Sequence, residues 1–423
     1  MSRIAVIGTG YVGLTTGACF AKLGHDVICA DIDAAKVASL QRGEITIVEA
    51  GLDQLVKEGI KSGRLSFVLG AEAAAATAEF AYLCVPTPQG MDGSADLSYV
   101  EIAAKQIAVV LPQEAIVVNK STVPVGSTKV VEKAMGRPDV KVVSNPEFLR
   151  EGSALHDFLN PDRIVIGADD QAAAIKVASL YLGIAAPFII TDPASAETIK
   201  YAANAFLATK ISFINAVAAV CEAVGADVND VVLGIGSDKR IGQDFLKPGP
   251  GWGGSCFPKD TYAMIRIAED AGYDFDLLRG VVEVNREQRR RVVRKVEEAV
   301  GGSVSGKTVA LWGLSFKART DDLRESPSLE IAAMLIAAGA TVQGYDPTVH
   351  ADLNGIKVSA DPYAAAEGAD VLLVGTEWDE FKWLDIDKVA SVMNAKAVVD
   401  ARNLLDGAAL KRAGFSYVGI GRS

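Results

Sequence analysis

The chain has 423 residues, half of them hydrophobic, and a formal net charge of −11, which is enough to build several cores and more than one domain. That acidic balance argues against general nucleic-acid binding, although lysines, arginines and helix amino termini can still hold an anionic ligand locally. Cys19, Cys29, Cys84, Cys221 and Cys256 are odd in number and lack paired metal-ligand spacing, so neither a disulfide framework nor a metal site is expected.

No basic-then-apolar leader precedes RIAVIGTG, and no apolar run reaches membrane-spanning length without interruption, so a cytoplasmic protein is expected. Short β-branched runs then alternate with Ala-rich helical stretches. IAVIG, DVICAD, FAYLCV, AIVVN, VKVVS, RIVIG and PFIIT read as strands, and the alternation predicts an α/β, doubly wound parallel sheet over roughly the first 190 residues. In the first of these, IAVIGTGYVG supplies Gly8, Gly10 and Gly13 as G-x-G-x-x-G, followed by a helix and a second strand ending in Asp31. Such a turn lets backbone approach a pyrophosphate, and an acid at that strand end binds a ribose diol and repels a 2′-phosphate, so NAD is expected rather than NADP. Asp33 is a second candidate for the ribose, or a helix cap.

At TDPASAE the pattern changes. Asp192 and Pro193 form a cap and first-turn pair for a long helical run to about residue 235. The loop GWGGSCFPKD follows, then LLRGVVEVNREQRRRVVRKVEEAV, whose basic cluster Arg286–Lys295 reads as a solvated helix face. After GGSVSGK the alternation resumes with TVALWG, ATVQGYD, DVLLVG and AVVD. The expected architecture is two Rossmann-like sheet domains joined by a helical connector, divided as 1–193, 194–300 and 301–423.

His25, His156 and His350 all lack a catalytic setting in the sequence, so proton chemistry must fall to lysine, aspartate, glutamate or a held water. Lys200 and Asn204 stand four apart, hence on one face of the connector helix; spacing alone equally fits an exposed polar stripe. Glu147 and Glu151 are also four apart and equally fit a capped helix start. Cys256 follows a run of glycines at a loop-to-helix junction, where helix amides and Lys259 could stabilise a thiolate. A nucleophilic thiol would carry an oxidation past the aldehyde through a thiohemiacetal and thioester; a free structural cysteine fits the residues as well.

The ordered blocks GTGYVG, CVPTP, KSTVPVGST, NPEFLREG, NPDRIVIG, KYAANAFLATKISFIN, DKRIG, GWGGSCFPKD, GLSFK and RESPS resemble the UDP-glucose/GDP-mannose dehydrogenase family over nearly the whole chain, nearest its UDP-glucose branch. The resemblance implies oxidation of a sugar C6 alcohol to a carboxylate by two NAD in succession, a carboxy-terminal domain that grips the nucleotide, and a homodimer or higher homo-oligomer formed through the connector helices. It implies Cys256 as nucleophile, Asp260 as activator of water, Lys200 and Asn204 as stabilisers of oxyanions, and Thr122 and Glu147 as positioners of the water. On the cofactor side it points to Gly8, Gly10, Tyr11, Val12, Gly13, Asp31, Lys36, Pro86, Thr87, Ser121, Thr122, Glu151 and Arg324. For UDP-glucose it points to Glu147, Phe148, Leu149, Arg150, Lys200, Asn204, Arg240, Phe245, Leu246, Lys247, Gly253, Phe316, Lys317 and Arg402, with Arg240 reaching across the dimer and the glycines bringing backbone against the sugar. Trp252, where many members carry phenylalanine, and EAGL at 49–52 in place of EPGL are mild departures. GDP-mannose and UDP-N-acetylmannosamine are the neighbouring substrates. A decarboxylating 3-hydroxyacid dehydrogenase and a silent nucleotide-binding module are the readings outside the family.

Overall fold

The structure is a computed structural model that describes residues 1–88, 90 and 95–422. The chain divides into two compact units, Met1–Ala203 with Tyr262–Ala271, and Asn204–Thr261 with Gly272–Ser423.

The first unit holds an eight-stranded sheet: β1 Arg3–Ile7, β2 Asp26–Asp31, β3 Leu65–Leu69, β4 Phe80–Leu83, β5 Ile116–Asn119, β6 Lys141–Ser144, β7 Ile164–Gly167 and β8 Phe188–Thr191. Their order is β3-β2-β1-β4-β5-β6-β7-β8. Because side chains alternate across a strand, Ile4 and Val6 join Phe20, Tyr82 and Val118 on one face while Ala5 and Ile7 join Leu83, Ile107 and Val117 on the other. Both faces of the central strands are covered, which is why these read as unbroken apolar runs. The expected doubly wound sheet is present with two additions. LSFVL forms β3, missed because its outward residues are polar or exposed. β7 runs antiparallel to β6 through the single register pair Ser144 and Gly167, and their connection holds the short helix Ala154–Leu159.

The second unit holds a six-stranded, wholly parallel sheet: β9 Thr308–Trp312, β10 Thr341–Tyr345, β11 Ile356–Val358, β12 Val371–Val374, β13 Ala397–Asp400 and β14 Ser416–Gly419, ordered β11-β10-β9-β12-β13-β14. β11 and β14 are short and partly exposed, so their sequences carry little apolar signal. Each sheet reverses its strand order beside its first strand, between β1 and β4 and between β9 and β12, the usual place for a ligand crevice at the strands' carboxyl ends.

The connector begins at Pro193 as expected, with Asp192 accepting from Ser195 N at 2.8 Å. It breaks at Gly225, whose φ of +75° ends the helix Pro193–Val224, and Asp227 caps the next helix, Val228–Gly236. Pro193–Val224 is long and apolar enough by composition to cross a membrane. Its Glu197, Ser212 and Asn215, however, are bonded to other segments of their own units, as in a helix packed within a folded protein.

Candidate active site

β1 ends at Gly8, where φ is +97° and an added Cβ would lie 2.6 Å from the Cys84 carbonyl oxygen; at Gly13 it would lie 1.9 Å from the Gly8 carbonyl oxygen. Only hydrogen fits at either position. At Gly10 the space is open, just before the helix Tyr11–Lys22, so a helix amino terminus faces room for a pyrophosphate. Asp31 ends β2. Its Oδ2 accepts from Thr9 N at 3.1 Å, Thr9 Oγ1 at 2.5 Å and Lys36 Nζ at 3.1 Å, and its Oδ1 from Asp33 N at 3.2 Å. Burial pushes this carboxyl up, but the hydrogen bonds from Thr9, Asp33 and Lys36 outweigh it and hold the group at about 2. Asp33 is the helix cap, accepting from Ala35 N and Lys36 N.

The second sheet repeats this layout with a different outcome. β9 also ends at a positive-φ glycine, Gly313, and the acid Asp346 follows β10. Asp346 is fully buried, and its Oδ2 takes Leu314 N, Ser315 N, Ser315 Oγ and Trp378 Nε1 at 2.8–3.0 Å. This carboxylate is spent on its own loops, whereas Asp31 has a side of its carboxylate occupied only by a backbone N–H. The cradle and the acid of the first sheet fit a dinucleotide.

The Tyr11 hydroxyl meets the buried Glu49 carboxylate and accepts from Gly152 N at 2.8 Å, while Leu155 N donates to Glu49 at 3.3 Å. Tyr11 therefore ties the helix start to residues 150–155. Glu49 escaped the sequence reading, where EAGL registered only as a departure; an acid inside the apolar run IVEAGL was the available signal. Val12 packs on the apolar cluster behind this helix. Around Pro86, Thr87 Oγ1 donates to Thr122 O at 2.8 Å and Ser121 Oγ to Val85 O at 2.7 Å, joining the segments that follow β4 and β5.

Past β6, Glu147 accepts from Lys200 Nζ at 3.0 Å and from Leu149 N at 2.6 Å, with Glu147 and Lys200 side chains only 5% exposed. The Phe148 ring has the Arg163 guanidinium 3.6 Å and Lys200 Nζ 5.4 Å from its centre. Arg150 forks onto Asp157 at 3.0 and 2.6 Å, and Glu151 is partly exposed. Lys200 is thus no exposed stripe, and Glu147 no helix cap. Three residues before Lys200, the buried Glu197 accepts from Gly126 N, Thr128 N and Thr128 Oγ1 at 2.6–2.9 Å, fixing the start of the helix Ser127–Met135.

In the second unit, Asp260 is fully buried and accepts from Asn204 Nδ2 and Lys259 Nζ, each at 2.6 Å. Lys259 therefore sits on this carboxylate. Asp260 N donates to Cys256 O at 2.9 Å in the first turn of the helix Phe257–Asp270, and Cys256 Sγ lies 3.6 Å from Ser255 Oγ.

The glycines ahead of Cys256 pack closely against the protein itself. A Cβ at Gly251 would meet Asn285 Oδ1 at 2.6 Å, at Gly253 the Glu325 carbonyl oxygen at 1.9 Å, and at Gly254 the Phe316 ring at 2.7 Å. Polar side chains clamp the same loop. Asn285 bonds both Trp252 N and Trp252 O at 2.8 and 3.0 Å, Arg289 donates to Trp252 O at 2.9 Å, Gln288 to Gly249 O at 2.7 Å, and Gly249 N to Asn215 at 2.8 Å. Trp252 Nε1 donates to Ser212 Oγ at 2.9 Å. Within 286–295, Arg286, Arg290 and Arg294 form the exposed face expected, while Arg289, which also pairs with Glu330, and Arg291 and Lys295, both paired with Glu222, do not belong to it.

At the carboxyl ends of β9, β12 and β13, Arg402 donates to Gly375 O at 2.8 Å and Phe316 O at 3.0 Å and faces Glu377 at 3.1 Å, and Lys317 Nζ stands 5.4 Å from the Phe316 ring centre. Phe245 holds a left-handed φ of +64° with its ring 6.3 Å from that of Phe257, the Leu246 side chain belongs to the apolar core, and Lys247 is exposed. Arg324 forks onto Asp322 and receives Gly254 N on its carbonyl at 3.1 Å. Arg240 forks onto Asp238 with its side chain 88% exposed. His25 bridges Ser2 N and Leu180 O at 3.2 and 2.9 Å, a structural role.

Sequence models of three domains of one family match in order: UDP-glucose/GDP-mannose dehydrogenase family, NAD binding domain over residues 2–185, its central domain over 194–287 and its UDP binding domain over 310–407. The UDP-glucose 6-dehydrogenase TuaD of Bacillus subtilis (strain 168) is 47% identical over 432 residues, which cover 100% of this chain and 94% of that one. The UDP-glucose 6-dehydrogenase of Rhizobium meliloti (strain 1021) is 46% identical over 434 residues, 99% of each. A solved UDP-glucose dehydrogenase from the archaeon Pyrobaculum islandicum superposes with a TM-score of 0.91 at 39% identity, covering 100% of this chain and 98% of that one.

Proposed function

The chain belongs to the UDP-glucose/GDP-mannose dehydrogenase family, and on that premise we propose that it oxidises C6 of UDP-glucose from alcohol to carboxylate, giving UDP-glucuronate. Gly8, Gly10, Gly13, Tyr11 and Val12 with Asp31, Lys36, Pro86, Thr87, Ser121, Thr122, Glu151 and Arg324 are its NAD-holding set. NAD bound there supplies the hydride acceptor for each of two oxidations.

The residues divide the remaining work. A water oriented by Thr122, Glu147 and Asp260 takes the C6 hydroxyl proton as the first hydride leaves, while the cationic Lys200 and the Asn204 amide stabilise the alkoxide. The Cys256 thiolate adds to the aldehyde carbon, forming a C–S bond and an oxyanion held by the same two donors. Loss of the second hydride from that carbon leaves a thioester. Water, deprotonated at Asp260 or Glu147, then breaks the C–S bond, its oxygen enters the carboxylate, and the thiol is regenerated. Covalent capture keeps the aldehyde in place between the oxidations. Phe148, Leu149, Arg150, Phe245, Leu246, Lys247, Gly253, Phe316, Lys317 and Arg402 line the nucleotide-sugar side.

The observation that carries this reading is the chain at Cys256–Asp260: a cysteine just before a helix whose first turn presents a buried carboxylate bonded to Asn204 and Lys259. For the assembly, exposed Phe206, Phe213 and Val220 recur every seven residues along Pro193–Val224 and supply a self-complementary face for a dimer in which Arg240 reaches the partner's substrate. NADH counted per UDP-glucose consumed tests the mechanism. Two per substrate in the wild type, with Cys256→Ser stalled at one or none, is the expected result; one per substrate in the wild type ends the thioester route, and two with GDP-mannose but none with UDP-glucose moves the substrate to the neighbouring branch.

A further inference from the structure

Lys120, at the carboxyl end of β5, is a buried cation with no part in the chemistry above. Its Nζ lies 3.2 Å from Asn145 Oδ1 and 3.3 Å from Tyr181 Oη, with the Phe158 and Tyr181 ring centres at 5.9 and 5.8 Å. Among the described residues no carboxylate is within ion-pair distance of it. A buried ammonium satisfied only by neutral oxygens and ring faces is unfavourable for stability compared with an apolar side chain of the same length. Packing alone gives no reason for a lysine here.

Position gives one. Lys120 immediately precedes Ser121 and Thr122. Asn145, its main acceptor, stands two residues before Glu147, accepts from Tyr181 Oη at 2.5 Å and donates to Val165 O at 2.8 Å on β7. Asn145 N also bonds Asn119 O at 2.9 Å. The junction from β6 to β7 is the one place where this sheet turns antiparallel, and its pairing there is the single register pair Ser144 and Gly167. The Lys120 cluster laces the strand ends at that weak seam.

We propose that Lys120 is a positioning residue for the reaction, its ammonium locking Asn145 so that Thr122 and Glu147 are held in fixed register. Lys120 acts through Asn145. The catalytic part of this inference rests on the proposed function; the positioning part does not.

The test is Lys120→Met, which keeps length and packing and removes the ammonium, read by two measurements on the full-length protein. Amide hydrogen exchange needs no substrate: peptides covering 120–128 and 145–152 are expected to exchange at least about tenfold faster, with the rest of the first unit unchanged and the thermal midpoint equal or higher. Turnover of whichever nucleotide sugar the wild type oxidises is expected to fall at least about tenfold in kcat, with KM for sugar and NAD within about threefold. Unchanged exchange in 145–152 overturns the proposal even if UDP-glucose is not the substrate. Faster exchange spread over the whole unit with a lowered midpoint also overturns it, since that describes a residue needed only for stability. Exchange loosened in both segments but kcat unchanged overturns the catalytic consequence. Tyr181→Phe, which leaves the charge and the Asn145 contact, is expected to give a smaller loss in the same direction, and a larger loss than Lys120→Met counts against the ammonium.

Discussion

Gly253 and Asp31 show how far a single residue's function depends on what surrounds it. At Gly253 a methyl group would overlap the Glu325 carbonyl, backbone that cannot step aside as a side-chain end would. Gly253→Ala is expected to destabilise by about 1–3 kcal/mol through overpacking and to lower turnover more than tenfold by displacing Cys256, measured by thermal unfolding and steady-state kinetics. Trp252→Phe is expected to be mild, about 1 kcal/mol, because Ser212 Oγ keeps its bond to Val281 O; a loss of turnover beyond threefold would refute that. For Asp31 the folded carboxyl is held at about 2, below its unfolded value. Its contribution to stability is therefore present above pH 4 and lost as pH falls towards 2. Asp31→Asn should remove that part of the wild-type pH dependence in unfolding experiments between pH 2 and 5, and raise KM for NAD relative to NADP by removing the acid that favours an unphosphorylated ribose.

Among the elements, the helix Pro193–Val224 does the most. One face of it carries buried polar groups at Glu197, Lys200, Asn204, Ser212 and Asn215, and another leaves Phe206, Phe213 and Val220 exposed. The buried set was legible only as spacing, because a lysine and an asparagine four apart look the same whether they face water or a carboxylate. Phe213→Asp places a charge at the centre of the apolar row and is expected to shift the species seen by sedimentation from dimer to monomer and to cut activity more than tenfold; an unchanged sedimentation coefficient places the interface elsewhere. Helix Asp276–Ala299 was legible only in part for a similar reason. Its arginines look uniform in sequence, yet Arg289 faces inward with Asn285 and Gln288 at the i, i+3, i+4 spacing that marks one face, and the polar members of that face clamp the glycine loop.

At the scale of the molecule, the patterning of the central strands and the glycine turn at Gly8–Gly13 were readable, because the central strands of both sheets are buried on both faces and must be apolar throughout, whereas β3, β11 and β14, partly exposed, were not. The same patterning could not distinguish the dinucleotide crevice from its counterpart in the second sheet. Asp31 and Asp346 occupy equivalent places, and only the hydrogen bonds from Leu314, Ser315 and Trp378 show that Asp346 is consumed internally. What the sequence by itself determined was therefore the architecture, the cradle at Gly8–Gly13 and the residue types available for chemistry: these depend on local rules, on side-chain period and on the absence of a Cβ. What only the tertiary structure decided was which charges are paired: Lys200 with Glu147, Lys259 and Asn204 with Asp260, Arg289 with Glu330, and Lys120 with neutral partners only. A charge's partner is set by distance in space between residues as many as 61 positions apart, which no local rule encodes.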